Sequence, residues 1–278
     1  MRLGATLFCD FSTPEKWIAA LKELGYTAAY CPVGDDSTEE QMRSYAKAAE
    51  KAGIVISEVG AWSNPLAADA EVRRKAMARM TLRLARAESV GARCCVNISG
   101  SRGEPWDGPH PLNLTDETFD MTVASVREVI DAVKPKRTFY TLETMPWMYP
   151  DSPDSYLRLI KAIDRKQFAV HFDPANLICS PQRYFASGDV IREFVTKLGR
   201  YIRSCHGKDV LLGGAMTTHI QELQPGLGAL DYKAFLTEIA RLDPDTPLML
   251  EHLKTKEEYD AATTYVRAQA AAAKVKFI

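Results

Sequence analysis

The sequence lacks an excess of charge of either sign. Its 278 residues include 35 Lys and Arg against 36 Asp and Glu, which gives a formal net charge of −1. Proteins that bind nucleic acid neutralise its phosphates with a basic surface. The near balance of charges therefore argues against a nucleic-acid partner.

Long apolar runs and regularly spaced cysteines are also missing. No run approaches the roughly 18 to 20 apolar residues of a membrane span, and residues 1–8 lack the apolar core and cleavage site of a signal peptide. The six cysteines show no CxxC pair, and most stand in apolar runs, where a thiol acts as a small hydrophobe. These absences predict a cytoplasmic protein with no membrane partner and with reduced, structural cysteines.

Short apolar runs alternate along the chain with longer stretches of helical periodicity, which is the pattern of strands and helices around a parallel sheet. The predicted strands are 3–8, 27–31, 55–59, 93–98, 139–142, 168–172, 201–205 and 248–250. Eight units of about 35 residues each fit the ~250 residues of a TIM barrel. The sequence therefore predicts an α/β fold, a (β/α)8 TIM barrel in a single domain over residues 1–278.

Helix starts have their own sequence signals. Thr13 precedes Pro14, a pattern typical of a capped first turn, and capping boxes are predicted at Ser37–Glu40 and Thr255–Glu258. Two loops after strands, 100–113 and 208–231, are longer than a minimal connection. Because loops after strands form the catalytic face of a barrel, both are predicted to cover a substrate. A tolerated surface insertion is the alternative for each.

Four residues with metal-ligating side chains stand at or just past the ends of the last four predicted strands. They are Glu143, Asp173, His206 and Glu251. Their separations of 30, 33 and 45 residues are close to one strand-and-helix unit per step, so the four side chains should meet at one barrel mouth. Three carboxylates and an imidazole suit a hard or borderline divalent ion. We expect one such ion, Mn²⁺ first, with Co²⁺, Mg²⁺ or Zn²⁺ as alternatives.

These motifs, in this order, resemble the xylose isomerase-like superfamily, and within it the sugar phosphate isomerase/epimerase group that includes ketose 3-epimerases. The HGKD sequence at 206–209 and the PGLG turn at 225–228 are similar as well. The resemblance implies that the four residues bind one divalent ion. It also implies that Glu143 and Glu251 are the catalytic acid and base, which move a proton beside the carbonyl of a sugar through an enediolate.

One position departs from the ketose 3-epimerase pattern. Those enzymes carry a histidine three residues after the Asp ligand, where this chain has Asn176. An amide can bind a substrate hydroxyl, but it cannot shuttle a proton. A metal-dependent lyase or glycoside-cleaving enzyme, which removes a proton from a keto-sugar and then eliminates a group, therefore stays open as the alternative. A non-catalytic sugar-binding barrel is the third reading.

The remaining candidates are predicted to bind substrate. They are Asn176, Lys208, His219, Trp62, Trp106 and Trp147. Lys208 follows His206 by two positions and so shares its inward face, and an indole can stack on a sugar ring. The structural alternatives are an ion-paired lysine, an exposed loop histidine, and indoles that pack the core or a lid. His171 is interpreted as a hydrogen-bonded histidine inside the barrel.

The expected partner is a small-molecule sugar or sugar derivative. No Gly-rich loop of the kind that cradles phosphate is present, so an unphosphorylated substrate is predicted. The chain has only five histidines, and the third and fourth predicted strands end near Trp62 and Asn97 instead of metal ligands. This disfavours the DNA-repair endonuclease branch with its three-metal cluster. The sequence leaves open whether the protein forms a homo-oligomer.

Overall fold

The computed structural model describes all 278 residues. The strands are β1 (Arg2–Gly4), β2 (Ala28–Ala29), β3 (Val55–Ile56), β4 (Glu58–Gly60), β5 (Cys94–Asn97), β6 (Phe139–Glu143), β7 (Phe168–Phe172), β8 (Ile202–Gly207), β9 (Asp209–Leu212), β10 (Ile220–Leu223) and β11 (Pro247–Leu250). The helices are α1 (Pro14–Leu24), α2 (Glu39–Ala52), α3 (Ala70–Val90), α4 (Asp116–Val133), α5 (Pro153–Ile163), α6 (Pro181–Phe185), α7 (Ser187–Leu198), α8 (Tyr232–Ile239) and α9 (Lys256–Ala272). Short 3₁₀ turns lie at Ala175–Leu177 and Gly199–Tyr201.

The parallel strands close into a barrel. Seven of them form one curled sheet in the order β1, β11, β8, β7, β6, β5, β4, and β2 pairs with β3. The gap is bridged by backbone hydrogen bonds, because Thr27 donates to Leu3 (3.0 Å) and Ser57, between β3 and β4, donates to Ala29 (2.8 Å). Thus β3 and β4 are two parts of the third barrel strand. This architecture confirms the predicted (β/α)8 TIM barrel.

The segment 208–231, predicted as a long substrate-covering loop, has regular structure of its own. It contains an antiparallel hairpin, in which β9 pairs with β10 from Leu212 opposite Ile220 to Asp209 opposite Leu223. The base of the hairpin is fixed by the Asp209 carboxylate, which accepts four backbone hydrogen bonds of 2.8 to 3.1 Å. The donors are Val210, Gly226, Gly228 and Leu230. The segment therefore forms an ordered hairpin beside the barrel mouth.

Two of the three predicted helix starts are correct. Thr13 accepts a hydrogen bond from the Lys16 amide ahead of α1, and Thr255 and Glu258 form the capping box of α9. The box predicted at Ser37–Glu40 is wrong by one residue, since Thr38 and Gln41 form it. Both Thr38 and Ser37 have hydroxyl side chains, and an N3 Gln closes the box as well as a Glu does.

The helices pack around the barrel through one continuous hydrophobic cluster that extends from the first strand to the last helix. All six cysteines are free, and three of them, Cys94, Cys95 and Cys205, are buried, the last two within this cluster. Cys31 is half-buried, and Cys9 and Cys179 are exposed. None of the helices combines the length and the apolar character that crossing a bilayer requires.

Candidate metal centre

The four predicted ligand residues meet at the carboxyl ends of four neighbouring strands. Glu143 is the last residue of β6, Asp173 follows β7, His206 lies in β8 and Glu251 follows β11. One ligand atom from each lies within 4.8 Å of the ligand atoms of the other three. Three of the residues are buried, and Glu251 faces the mouth with 14% of its side chain exposed. The parallel register thus assembles side chains that are far apart in sequence.

The imidazole of His206 lies between the two glutamates. Its Nδ1 is 3.2 Å from Glu143 Oε1 and 2.9 Å from Glu251 Oε1. This arrangement places the two predicted catalytic carboxylates on either side of one ring nitrogen. A proton or a cation at that nitrogen would contact both of them.

Lys208 completes the cluster and is itself 2% exposed. Its Nζ lies 2.6 Å from Glu251 Oε1, 2.8 Å from Asp173 Oδ2 and 3.6 Å from Glu143 Oε1. Burial opposes the charged amine, but the carboxylates of Asp173, Glu143 and Glu251 outweigh it and raise the pKa of Lys208 well above its ordinary value. The ammonium is therefore a fixed positive charge, on the inward face that its spacing from His206 predicts.

A model of the xylose isomerase-like TIM barrel family matches residues 18–273. The chain belongs to this family. No curated protein matches it.

Several solved structures share the fold at low sequence identity. The 3-keto-D-glucoside 4-epimerase of E. coli is 14% identical, with a TM-score of 0.68 over 96% of this chain and 99% of that one. D-psicose 3-epimerase of Clostridium cellulolyticum is 15% identical, with a TM-score of 0.65 over 99% and 97%. Endonuclease IV of Thermus thermophilus is 14% identical, with a TM-score of 0.71 over 98% and 100%. These similarities show the barrel fold. The activity has to be inferred from the residues at the barrel mouth.

The donor set of this xylose isomerase-like barrel fits a divalent cation. The carboxylates of Glu143, Asp173 and Glu251 together with the ammonium of Lys208 carry a net charge of −2 when ionised, which one divalent ion neutralises. Two buried oxygens, Asp173 Oδ2 and Glu251 Oε1, are paired with the ammonium of Lys208 but receive no hydrogen bond of ordinary geometry. Each keeps lone pairs that a bound cation could use.

The carboxylates of the cluster differ in their affinity for protons. Burial and the neighbouring Glu143 raise the pKa of Asp173 to about 7, although Lys208 opposes the shift. For Glu143, burial is outweighed by Lys208 and His206, which lower its pKa to about 2. The pKa of Glu251 is held well below its ordinary value by His206 and Lys208 despite burial. Near neutral pH the two glutamates are ionised, while Asp173 is partly protonated.

Glu58 is a buried member of the site that the sequence analysis did not identify. It lies at the start of β4, and its Oε1 is 3.0 Å from His206 Nε2. Its Oε2 is 2.9 Å from His171 Nε2 and accepts a hydrogen bond from Ser204 Oγ at 2.7 Å. Burial opposes ionisation of Glu58, but His206 and His171 hold its pKa well below the usual range.

The ionised Glu58 fixes the orientation of His206. A carboxylate can only accept, so Nε2 of His206 donates and Nδ1 faces the cluster. His171 is the hydrogen-bonded interior histidine that was predicted, because its Nε2 donates to the same carboxylate. The sequence did contain a signal for Glu58, because it is a charged residue inside an otherwise apolar predicted strand. Buried carboxylates are rarely left without partners, so such a residue points to a polar contact inside the barrel.

The predicted substrate residues divide into those at the cluster and those away from it. Asn176 Nδ2 donates to Glu143 Oε1 at 3.2 Å and to the Thr144 carbonyl at 3.0 Å. His219 is exposed and makes no side-chain hydrogen bond or ion pair. Glu222, on β10, was missed by the sequence analysis. Its Oε2 is 3.4 Å from Lys208 Nζ, so the hairpin supplies the outer edge of the site.

The three indoles lie on different loops around the mouth. Trp147 is 39% exposed, and its Nε1 donates to the Asp107 carbonyl at 2.8 Å, which ties the loop after β6 to the loop after β5. Trp62 is 38% exposed and lies against Gly60, with its indole nitrogen where a side chain at that glycine would stand. Trp106 is half-buried and makes no side-chain hydrogen bond. Trp147 lines a cavity beside the cluster, together with Asn176 and Glu222, and the other two indoles do not line that cavity.

Proposed function

We propose that the protein is a divalent-metal-dependent sugar isomerase or epimerase, carried by one domain over residues 1–278. The observation that supports this most is the convergence of Glu143, Asp173, His206 and Glu251 within 4.8 Å at the barrel mouth. Two of the similar structures are named as epimerases, one of a keto-glucoside and one of a ketose. These names agree with the proposal at the level of reaction class.

The four residues would hold one divalent cation, with Mn²⁺ first and Co²⁺, Mg²⁺ or Zn²⁺ as alternatives. Oxygen-rich sites with one imidazole suit these ions better than they suit soft metals. When bound, the cation supplies positive charge that stabilises an enediolate formed beside the sugar carbonyl. Asp173 and His206 serve in this proposal as ligands without a part in proton transfer.

Proton transfer is assigned to Glu143 and Glu251. Both have lowered pKa values, so both are ionised at neutral pH and either can act as the base. One glutamate removes the proton beside the carbonyl and becomes a carboxylic acid. In an isomerisation this acid returns the proton to the neighbouring carbon. In an epimerisation the other glutamate, after taking up a proton from solvent, delivers it to the opposite face, and the first releases its proton to solvent. Asn176 holds Glu143 in place by the hydrogen bond to Oε1. Lys208 keeps a positive charge within 3.6 Å of both glutamates, where negative charge develops on the substrate.

An elimination is the second candidate reaction, and Asn176 is the observation that favours it. The residue lies against Glu143, at the position where ketose 3-epimerases carry a histidine, and it supplies no proton. An elimination needs the first proton abstraction and a leaving group, and no return of a proton to carbon. The proposed substrate class, an unphosphorylated keto-sugar or its derivative, is the same for both reactions.

Incorporation of deuterium from solvent tests the proposal. The metal-loaded protein is incubated in deuterated water with free ketoses and with 3-keto-glycosides, and the sugars are analysed by mass spectrometry and NMR. Exchange without cleavage supports the isomerase or epimerase, and exchange with cleavage supports the elimination. No exchange with any of the sugars, on protein that contains metal, would contradict both reactions and leave a non-catalytic sugar-binding barrel.

A further inference from the structure

A cavity of about 360 Å³ lies beside the metal cluster, on the side of the loops after β6 and β7. Two of its lining residues also contact the cluster. Asn176 donates to Glu143 Oε1 at 3.2 Å, and Glu222 Oε2 lies 3.4 Å from Lys208 Nζ. The cavity therefore begins where the cluster ends. Its size is at the lower end of the roughly 300 to 1,000 Å³ of ligand pockets.

The walls of this side cavity are mostly apolar. Trp147, Ile178, Val210 and Ile220 supply the apolar surface, and no lysine, arginine or histidine lines the cavity. The one carboxylate in the lining is Glu222. Glu222 is already paired with Lys208 and His252, and the lining offers no further basic side chain to a phosphate or carboxylate group, so it favours a neutral occupant.

The indole of Trp147 is held in a fixed position. Its Nε1 donates to the Asp107 carbonyl, while 39% of the residue stays exposed. The hairpin also lines the cavity, with Val210 from β9 and Ile220 from β10. A flat ring inside the cavity would bury apolar surface against the indole and against these aliphatic side chains.

We propose that the side cavity is a subsite for a neutral ring attached to the reacting sugar, so that a glycoside is a better substrate than the free monosaccharide. This rests on the proposed function, because the reacting carbon must lie at the Glu143 and Glu251 carboxylates. The sugar ring then occupies the mouth above the cluster. The neutral ring beyond it, aromatic or a second sugar, extends between Trp147 and Ile220.

A blocking variant and a matched control test the subsite. Ile220→Trp fills the cavity, whereas Gln221→Trp places the same side chain on the opposite face of the same strand, since successive residues of a strand alternate. Deuterium exchange is measured with a 3-keto-glucoside that carries a phenyl group and with the free ketose. We expect Ile220→Trp to lower kcat/KM for the phenyl glycoside at least about tenfold, the scale of hydrophobic pocket discrimination, with little change for the free ketose. Gln221→Trp should change neither.

Equilibrium binding keeps this test separate from the proposed reaction. By calorimetry, phenyl glucoside should bind the wild type more tightly than methyl glucoside does, and Ile220→Trp should abolish the difference. Cellobiose in place of phenyl glucoside distinguishes a second sugar from an aromatic ring as the preferred occupant. Equal binding of the phenyl, methyl and cellobiose ligands to the wild type would overturn the subsite even if exchange occurs. If exchange is absent with all sugars but the binding difference holds, the reaction fails and the subsite stands.

Discussion

The two halves of the barrel contribute differently to the mouth. Strands β6, β7, β8 and β11 and the residues just after them deliver three carboxylates, an imidazole and an ammonium. The first half contributes one charged side chain to the same region, that of Glu58. Glu58 contacts the cluster from the barrel interior, through its hydrogen bond with His206. The second half thus holds the proposed ligands and bases, while the first half sets the orientation of one of them.

The largest expected effect is in the second half. Glu251→Gln keeps a ligating oxygen and the side-chain shape but removes the base, so turnover should fall by roughly 10² to 10⁴ while metal is retained. The control is Glu238→Gln, the same change at a buried glutamate of α8 that pairs with Arg241, which should leave turnover unchanged. Steady-state kinetics and elemental analysis give the two readouts. Near-normal turnover of metal-loaded Glu251→Gln would make Glu251 a structural residue only.

A substitution of Glu58, in the first half of the barrel, should lower the affinity for metal. Glu58→Gln removes the charge that fixes the Nε2 hydrogen of His206, and loss of such a partner typically weakens metal binding by roughly 10- to 100-fold. Ser204→Ala, which removes one hydrogen bond to Glu58 and leaves its charge, should have a smaller effect. Titration of Mn²⁺ followed by electron paramagnetic resonance measures both. An unchanged affinity in Glu58→Gln would remove the first half from the site.

The pH dependence of metal binding tests which ligands must lose a proton before a cation binds. Metal-free Asp173 has a pKa of about 7, and the pKa of His206 is raised well above its ordinary value by Glu251, Glu58 and Glu143 despite burial. Both must be deprotonated to bind a cation. Metal affinity should therefore rise steeply with pH up to about 7, with two protons released per ion, and less steeply above it, with one. Calorimetry in buffers of different ionisation enthalpy counts the protons, and a flat profile from pH 6 to 8 would contradict the assignment.

Substitution of the indoles is expected to have the smallest effects on activity. Trp147→Ala should lower kcat/KM by roughly twofold to tenfold, the scale of one aromatic contact, with metal content intact. Trp106→Ala was predicted to act in the same way, and its position away from the lining of the side cavity makes a weaker effect the expected result. Kinetics of the two variants side by side decide the order. Identical wild-type values for both would assign them to packing of the loops.

The sequence predicted the barrel and the convergence of the four candidate ligands because both depend on local patterns repeated at a regular spacing. Glu143, Asp173, His206 and Glu251 each stand at or near the carboxyl end of an apolar strand, and the parallel register brings these ends together. Glu58 and Glu222 were missed for a different reason. Glu58 acts through His206, 148 positions away in sequence. Glu222 reaches Lys208 only because the segment 208–231 folds into a hairpin, which polar and glycine-rich sequence did not reveal.

The number of metal ions bound per chain tests the assignment of the reacting groups to the second half most directly. Metal-free protein is titrated with Mn²⁺ and, separately, with Zn²⁺, and the bound ions are counted by elemental analysis after gel filtration. One tightly bound ion per chain is expected, lost in His206→Ala and retained in Glu251→Gln. Two or three tightly bound zinc ions per chain, or a single ion that survives His206→Ala, would contradict the site described.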